Sequence, residues 1–599
     1  MSYKSLKECI DDLEKNGQLI RIKEEVDPDL EMATIHLKVF EAKGKAILFE
    51  KIKGCKYQAV SNLFGTLERS KFMFRDTFDT MQELVKLRNN PIAALKHPFK
   101  YLSTGISGLK ALPKKRSFSS AGFKEIKIED LPLIKHWPRD GGAFVTLPQV
   151  YSEDIEKPGV MNSNLGMYRI QLNGNNYLLN KEIGLHYQIH RGIGVHQTKS
   201  NLAGKPLKVS IFVGGPPAHS LAAVMPLPEG ISELTFAGAI GGRRFKYAYQ
   251  DGYCISLDAD FVITGEVYPN ENKPEGPFGD HLGYYSLKHE FPLMRVHKVY
   301  AKENAIWPFT VVGRPPQEDT AFGALIHEIS GSAIPKEIPG VKEIHAVDAA
   351  GVHPLLLAIG SERYTPYLKN KRPAEILTQA NRILGTGQLS LAKYLFITAD
   401  DKKLDCHDIE KFLTHIFERI DFKRDFHFYT KTSIDTLDYS GESINEGSKL
   451  VLAAYGDKIR TLAAKFPNYV LLGDAQFIVP GIVMMKFKDF TDHRTAKKEI
   501  KELSDELMKV DGINTIAQIV LYNDFNFGKD LLKDYLWITY TRSNPSHDVY
   551  GVDESVENKH WGCAGPMIID ARKKPFHAPE LIVDAKVSEK ADGLLKKYL

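Results

Sequence analysis

Two short stretches of the chain hold most of the residues that could do chemistry. In the first, Asn164-Leu-Gly-Met-Tyr-Arg169-Ile-Gln171 is followed by Leu185-His186-Tyr187-Gln188-Ile189-His190-Arg191-Gly192. In the second, Lys273-Pro-Glu275-Gly-Pro-Phe-Gly-Asp280-His281 sets two carboxylates on either side of a Gly-Pro-Phe-Gly bend, which can be neither helix nor central strand. Carboxylates held close to each other and to an arginine are expected to have their pKa values driven apart, giving one proton donor and one acceptor near neutral pH. Asn and His with a distant carboxylate would form a hard oxygen and nitrogen set suited to Mn2+ or Mg2+. The acidic turn, taken alone, is also the composition of a solvated loop.

If Met167 to Leu172 is a strand, its two-residue period puts Met167, Arg169 and Gln171 on one face and Tyr168 and Ile170 on the other. A second strand would likewise expose His186, Gln188 and His190 and bury Leu185, Tyr187 and Ile189. Two such polar faces could be the solvated side of an antiparallel hairpin, although Gly166, Gly192 and Gly194 would let backbone approach a bound group closely. His186-Tyr-Gln-Ile-His190 lacks the glutamate of a zinc-protease helix. Gly385-Thr386-Gly387 lacks the third glycine of a dinucleotide fingerprint, and neither a P-loop nor a Gly-x-Ser-x-Gly string occurs, which removes ATP-driven and serine-hydrolase classes.

The elements that must position these residues follow from patterning. Up to about residue 60 the chain predicts a helix, a strand at Leu19 to Ile22, a helix near Met32 to Glu41 and a strand at Ala46 to Glu50. From about 95 to 124, Lys96, Lys100, Lys110, Lys114, Lys115 and Arg116 among Ser, Gly and Pro read as a solvated linker. From about 140 to 310, short runs such as MYRIQL, GLHYQIH, LKVSIFVG, FVITGEVY and MRVHKVYA predict a β-rich, barrel-like domain. Glu318 to Ser330 has helical spacing. Beyond it a second α/β region is expected, with strands at Glu343 to Ala349, Pro354 to Ile359, Lys393 to Thr398 and Asn468 to Leu472. Asp401, Arg419 and Asp425 are matched by Asp524, Arg542 and Asp548 at one constant offset, which suggests a duplicated α/β unit.

The whole chain has 599 residues, 43% apolar and 26% charged, a length that predicts three or four domains. Its 79 basic and 75 acidic side chains nearly cancel, so neither nucleic acid nor an anionic membrane is an expected partner. No run of about 18 apolar residues occurs, and the N-terminus reads as an amphipathic helix rather than a signal peptide. Cys9, Cys55, Cys254, Cys406 and Cys563 are odd in number, far apart and without a C-x-x-C pair. They argue against a disulfide framework and a thiolate zinc site and favour a reducing cytoplasm.

Asn164-x-Gly-x-Tyr-Arg169-x-Gln171, His190-Arg191-Gly192, Met225-Pro-Leu-Pro-Glu-Gly-Ile-Ser-Glu233 and Glu275-Gly-Pro-Phe-Gly-Asp280 together resemble, in order, the signature strings of the UbiD-family decarboxylases. The resemblance runs from the N-terminus to about residue 456, where Gly447-Ser-Lys449-Leu-Val-Leu-Ala looks like the family's closing segment. It implies an α/β multidomain chain with an N-terminal α/β domain and linker (1–125), a split β-barrel cofactor domain (126–330) and a C-terminal α/β oligomerisation domain (331–456). Residues 457–599 would be a further α/β segment, as in the longer members placed in menaquinone synthesis.

The implied activity is reversible, non-oxidative decarboxylation of an aromatic or α,β-unsaturated acid in quinone biosynthesis, with prenylated FMN supplied by a flavin prenyltransferase. Asn164, His190 and Glu233 would hold a divalent metal, Mn2+ or Mg2+, at the cofactor phosphate. Met167, Tyr168, Arg169, His186, Tyr187, Gln188, Arg191 and Gly192 would line the cofactor, and backbone near Ala222 and Met225 would bind K+. Arg169, Glu275 and Asp280 would form the catalytic network, with Asp280 standing where some relatives have Glu. Lys393 lacks the family's usual Tyr-Thr before it and is given no role. The alternatives are a split-barrel FMN oxidoreductase and a non-catalytic flavin-binding assembly protein. Neither needs a proton donor beside a carboxylate-binding arginine.

Overall fold

The computed structural model describes residues 3–79, 81–83, 111–188, 191–225, 227, 232–330, 337–365, 367, 369–399, 404–465 and 475–598. The chain forms two compact units, Met1–Ser332 with Glu580–Leu599, and Ala333–Pro579. Among the described residues no helix is long and apolar enough to cross a membrane.

The first unit begins as its patterning predicts. Ser5 accepts the Glu8 N–H at 3.2 Å and starts the helix Leu6–Lys15, whose Leu6, Cys9, Ile10 and Leu13 recur at helical spacing and are buried. Strands Leu19–Val26 and Ala46–Ile52 pair in parallel around the helix Glu31–Glu41, and Gln58–Ser61 joins antiparallel. The fourth strand, Ile306–Phe309, pairs parallel to Gln58–Ser61. The N-terminal layer is therefore finished by chain returning from the central sheet.

Among the described residues that central sheet has nine strands. Its spine is the antiparallel pair Phe261–Glu275 and His289–Ala301, which runs from Phe261 opposite Ala301 to Glu275 opposite His289 with register shifts between Thr264 and Gly265 and between Val267 and Asn272. The short strands expected at MYRIQL and GLHYQIH are shorter still, Ile170–Gln171 and Glu182–Leu185, paired so that Leu185 faces Ile170. The reason lies at Gly166, where a Cβ would fall 2.1 Å from the Tyr168 ring. The chain doubles back over itself here, and the Met167 N–H leaves the sheet to donate to Ala223 O at 2.9 Å. The linker expectation is also corrected. Residues 84–110 lie outside the described residues, but Lys114–Lys115 pairs with Lys246–Gln250 and Lys124–Ile126 with His289–Ala301, so its later part is sheet.

In the second unit two five-stranded sheets share one topology. The first runs Glu343–Ala346, Leu355–Gly360, Tyr394–Ala399, Glu446–Ala454, Phe426–Ser433. The second runs Ala475–Val479, Ile482–Lys486, Gln518–Tyr522, Met567–Asp570, Val549–Gly551. In each the successive pairings are antiparallel, parallel, parallel and antiparallel. The sequence offset marks equivalent places in the two copies. Arg419 and Arg542 follow the helices Ile409–Phe417 and Leu531–Thr541, and Asp425 and Asp548 stand immediately before the outer strands. Asp425 accepts the Asp421 N–H at 2.9 Å, and Asp548 accepts the Asn544 N–H at 2.7 Å. Asp401 and the expected strand at Asn468 to Leu472 lie outside the described residues.

Candidate active site

The long strand Phe261–Glu275 ends at Glu275, where the chain enters the acidic turn. Gly276 adopts φ +86°, a left-handed conformation that favours glycine. Its N–H donates to Gln171 Oε1 at 2.9 Å and its carbonyl accepts from Asn175 Nδ2 at 2.8 Å. Farther round, Gly141 N–H donates to Pro277 O at 2.7 Å and Gly279 N–H to Asp140 Oδ1 at 2.8 Å. Gly279 must be glycine because a Cβ there would lie 2.0 Å from Trp137 Cδ1. Phe278–Gly279 then pairs with Tyr285–Ser286, so the turn is the start of a small hairpin. Every part of the bend is tied down, and Asp280 projects from a fixed frame.

Arg169 stands just before Ile170–Gln171, on the same face as Gln171, and reaches this frame. Its Nε and Nη2 donate to the two Glu275 oxygens, each at 2.8 Å, while Nη1 donates to Asp280 Oδ2. Nη2 also donates to Ser286 Oγ at 2.7 Å and lies 3.1 Å from His186 Nδ1. Phe278 underlies the guanidinium at 4.7 Å. Glu275 is fully buried, and Asp280 and His186 are 7% and 5% exposed. The solvated-hairpin alternative is therefore overturned, because these polar groups face one another rather than water.

Burial pushes Glu275 upward, but Arg169 and His186 outweigh it and hold the carboxyl down at about 2. Burial also raises Asp280, and Arg169 with His281 brings it below the usual carboxylate value. The expectation that the two carboxyls would be driven apart is corrected. One guanidinium lies between them and depresses both. His186 is lowered, first by burial and then by Arg169, and so stays neutral. Its Nδ1 lies 3.1 Å from Arg169 Nη2 and 3.3 Å from Glu275 Oε2, and its buried Nε2 has no hydrogen-bond partner among the described residues.

A second group lies at the strand Ser163–Gly166. Leu165 N–H donates to Glu233 Oε2 at 3.2 Å, which sets Glu233, the first residue of the helix Glu233–Ile240, beside Asn164. Asn164 pairs with the Tyr168 hydroxyl at 3.2 Å, and a Cβ on Gly192 would lie 2.2 Å from Asn164 Oδ1. Burial raises Glu233 to about 7, opposed by two backbone N–H contacts and, among the described residues, by no cation. A desolvated carboxylate without a cation, beside an amide oxygen, is the donor chemistry of a hard divalent ion. The residues present fit the metal the resemblance implies. His190, the third implied ligand, lies outside the described residues.

Of the implied cofactor residues, Arg169 and His186 belong to the first group and Tyr168 and Gly192 to the second, while the Tyr168 and Tyr187 rings meet edge to face at 6.1 Å. Met167 packs against a buried apolar cluster of the first unit that also holds Ala222 and Met225. Arg191 precedes the helix Gly192–Leu202, and Gln188 lies between the two groups in sequence. The orphaned Nε2 of His186 is a buried polar atom that a bound group would satisfy. Sequence reasoning missed Ser286, His281, Asp140 and Asn175. Only Ser286 had a legible signal, since a hairpin turning at Leu282-Gly283 puts it opposite Phe278.

Models of the UbiD family match three parts of the chain. The one described as the 3-octaprenyl-4-hydroxybenzoate carboxy-lyase N-terminal domain matches residues 10–88, the Rift-related domain 112–315 and the C-terminal domain 320–454. An uncharacterized protein of Chlamydia trachomatis serovar D is 35% identical over 97% of this chain and 97% of its own. A Chlamydia pneumoniae protein, named as one of the subunits of a 4-hydroxybenzoate decarboxylase, is 35% identical over 97% of this chain and 96% of its own. Among solved structures, the vanillic acid decarboxylase of Sedimentibacter hydroxybenzoicus in closed form shares the fold with TM-score 0.64 and 22% identity, covering 85% of this chain and all of that one. An evolved dimeric form of the UbiD-class enzyme HmfF from Pelotomaculum thermopropionicum, in complex with prenylated FMN, has TM-score 0.58 and 19% identity, covering 78% of this chain and 97% of that one.

Proposed function

The chain belongs to the UbiD family of carboxy-lyases, and on that premise we propose that it interconverts an aromatic carboxylic acid and its decarboxylated product with prenylated FMN. The observation that carries this reading is the Arg169 guanidinium shared by the buried carboxyls of Glu275 and Asp280. When bound, the cofactor supplies the electron sink that side chains lack for the pair left by departing CO2. Asn164, His190 and Glu233 would hold Mn2+ or Mg2+, whose charge offsets that of the cofactor phosphate.

The chain's own residues divide the remaining work. Glu275 stays ionised and holds Arg169 charged and oriented through the paired contact. A substrate carboxylate that takes up Nη1 displaces Asp280 and adds a negative neighbour. Both changes raise the Asp280 carboxyl, which then takes a proton. His281, with Nδ1 2.9 Å from Asp280 Oδ1, is within reach to supply it. As the C–CO2 bond breaks, CO2 leaves, and the proton of Asp280 forms the new C–H bond in its place.

The relatives named for 4-hydroxybenzoate and vanillic acid suggest a hydroxylated benzoic acid as substrate. A step in quinone biosynthesis and a homo-oligomeric enzyme accord with the family description and the resemblance. The test is production with and without a flavin prenyltransferase, followed by CO2 release from a panel including both acids. Release only after co-production is the expected result. Full activity with ordinary FMN, or hydride transfer in place of CO2 release, would overturn the reading in favour of an oxidoreductase.

A further inference from the structure

The last residues of the chain return to the first unit and meet the far side of the acidic turn. Glu580 forms an antiparallel bridge with Tyr284, and the Leu581 N–H donates to Gly283 O at 3.1 Å. On its near side the same loop closes on itself, with Asp280 N–H donating to Tyr284 O at 3.0 Å and Gly283 N–H to Asp280 O at 2.9 Å. The loop that carries Asp280 is thus a partner of chain some three hundred residues away.

That partner is firmly anchored. Asp584 accepts the N–H groups of Lys586 and Val587 and starts the helix Ala585–Leu595. Ala591 and Leu595 are buried in the first unit's core, and Leu581, Val583, Leu594 and Tyr598 pack against it. Lys590 pairs with Glu31 at 2.8 Å, Asp592 with Lys38 at 2.6 Å and Lys597 with Glu24 at 3.0 Å. A strand-like contact backed by a docked helix restrains the loop against motion that Gly283, at φ +87°, would otherwise permit.

We propose that the C-terminal segment 580–598 is a positioning strap for Asp280, acting through the Leu581–Gly283 and Glu580–Tyr284 contacts. This rests on the proton-donor reading of Asp280. The strap touches neither substrate nor cofactor. It fixes where the carboxyl stands, and a misplacement of about 1 Å in such a group lowers turnover by as much as ~10²-fold.

The test compares Leu581→Pro, which removes the N–H donor, with Leu581→Ala, which keeps it, in full-length holoenzyme assayed by CO2 release. Leu581→Pro should lower kcat about ten-fold or more below Leu581→Ala, with KM and the flavin spectrum unchanged and a larger solvent deuterium isotope effect. Ala591→Glu, which undocks the helix at a distance, should speed amide exchange over residues 278–284. Equal kcat in the two Leu581 variants, loss of flavin together with kcat, or unchanged exchange in Ala591→Glu would each overturn the strap. Asp280→Asn serves as the reference. Full turnover in that variant would overturn the proton-donor reading itself, whereas an inactive Asp280→Asn with matching Leu581 variants would overturn the strap alone.

Discussion

Arg169 joins two carboxyls whose tasks differ, and substitutions should separate them. Asp280→Asn keeps size and hydrogen bonding but has no proton to give, so turnover should fall by roughly 10²-fold or more while the substrate still binds. Steady-state kinetics with solvent deuterium incorporation checks this, and unchanged turnover would pass the role to another donor. Glu275 is instead a buried anion held at about 2 in the fold, against an ordinary 4.5. A depressed carboxyl contributes stability that is present above its unfolded value and lost as pH falls toward its folded one. Native protein should therefore lose urea resistance between about pH 4.5 and 2 more steeply than Glu275→Gln. Parallel slopes in the two proteins would mean that the Arg169 contact is broken in solution.

The acidic turn acts as one element because its backbone is pinned at Gly276, Pro277, Gly279 and Gly283 by three separate parts of the first unit, at Gln171, at Asp140–Gly141 and at Leu581. Gly279→Ala forces a methyl group into Trp137 and should destabilise the fold by about 1–3 kcal/mol. It should also lower kcat while the flavin spectrum persists, a split that a denaturant midpoint and a turnover assay would register together. In the second unit the duplicated sheets differ in how they settle their equivalent aspartates. Asp425 pairs with half-exposed Arg424 at 2.6 Å, whereas Asp548 faces Lys574 at 3.3 Å with both side chains buried. Lys574→Met should cost about 3–5 kcal/mol by leaving Asp548 buried without that cation. The double variant with Asp548→Asn should recover part of the loss, and simple additivity of the two would show that the pair is not coupled.

At the scale of the molecule the first unit joins two segments of the chain, and its N-terminal layer draws on three places along them. Ile306–Phe309 completes the N-terminal sheet and the helix Ala585–Leu595 packs on the helix Glu31–Glu41. Residues 457–599 therefore contain both a second copy of an α/β unit and a tail that belongs elsewhere, and cutting after residue 456 removes two things at once. Leu595→Ala isolates the tail's share. As a buried leucine in the shared core it should cost about 2–5 kcal/mol, read as a lower denaturant midpoint. A change within error would mean that the helix is undocked in solution.

The sequence by itself determined the local elements and the residue types. Period set the helix Leu6–Lys15 and the strands at LKVSIFVG and FVITGEVY, because such signals act over a few residues, whereas the second strand's extension to Glu275 was not expected. The alternation that placed Arg169 with Gln171, and Leu185 apart from His186, held even where the strands proved short, whereas Met167, expected on the face of Arg169, packs against an apolar cluster. The ordered strings named the family, and the constant offset of Arg419 and Asp425 from Arg542 and Asp548 foretold the repeated sheet. Tertiary structure alone decided what those side chains meet. The shared depression of Glu275 and Asp280 depends on burial and on a guanidinium more than a hundred residues away, and neither is written in local spacing. The tail's hold on the Asp280 loop is a backbone contact, made by N–H and C=O groups that every residue but proline carries alike, so no residue pattern could have announced it.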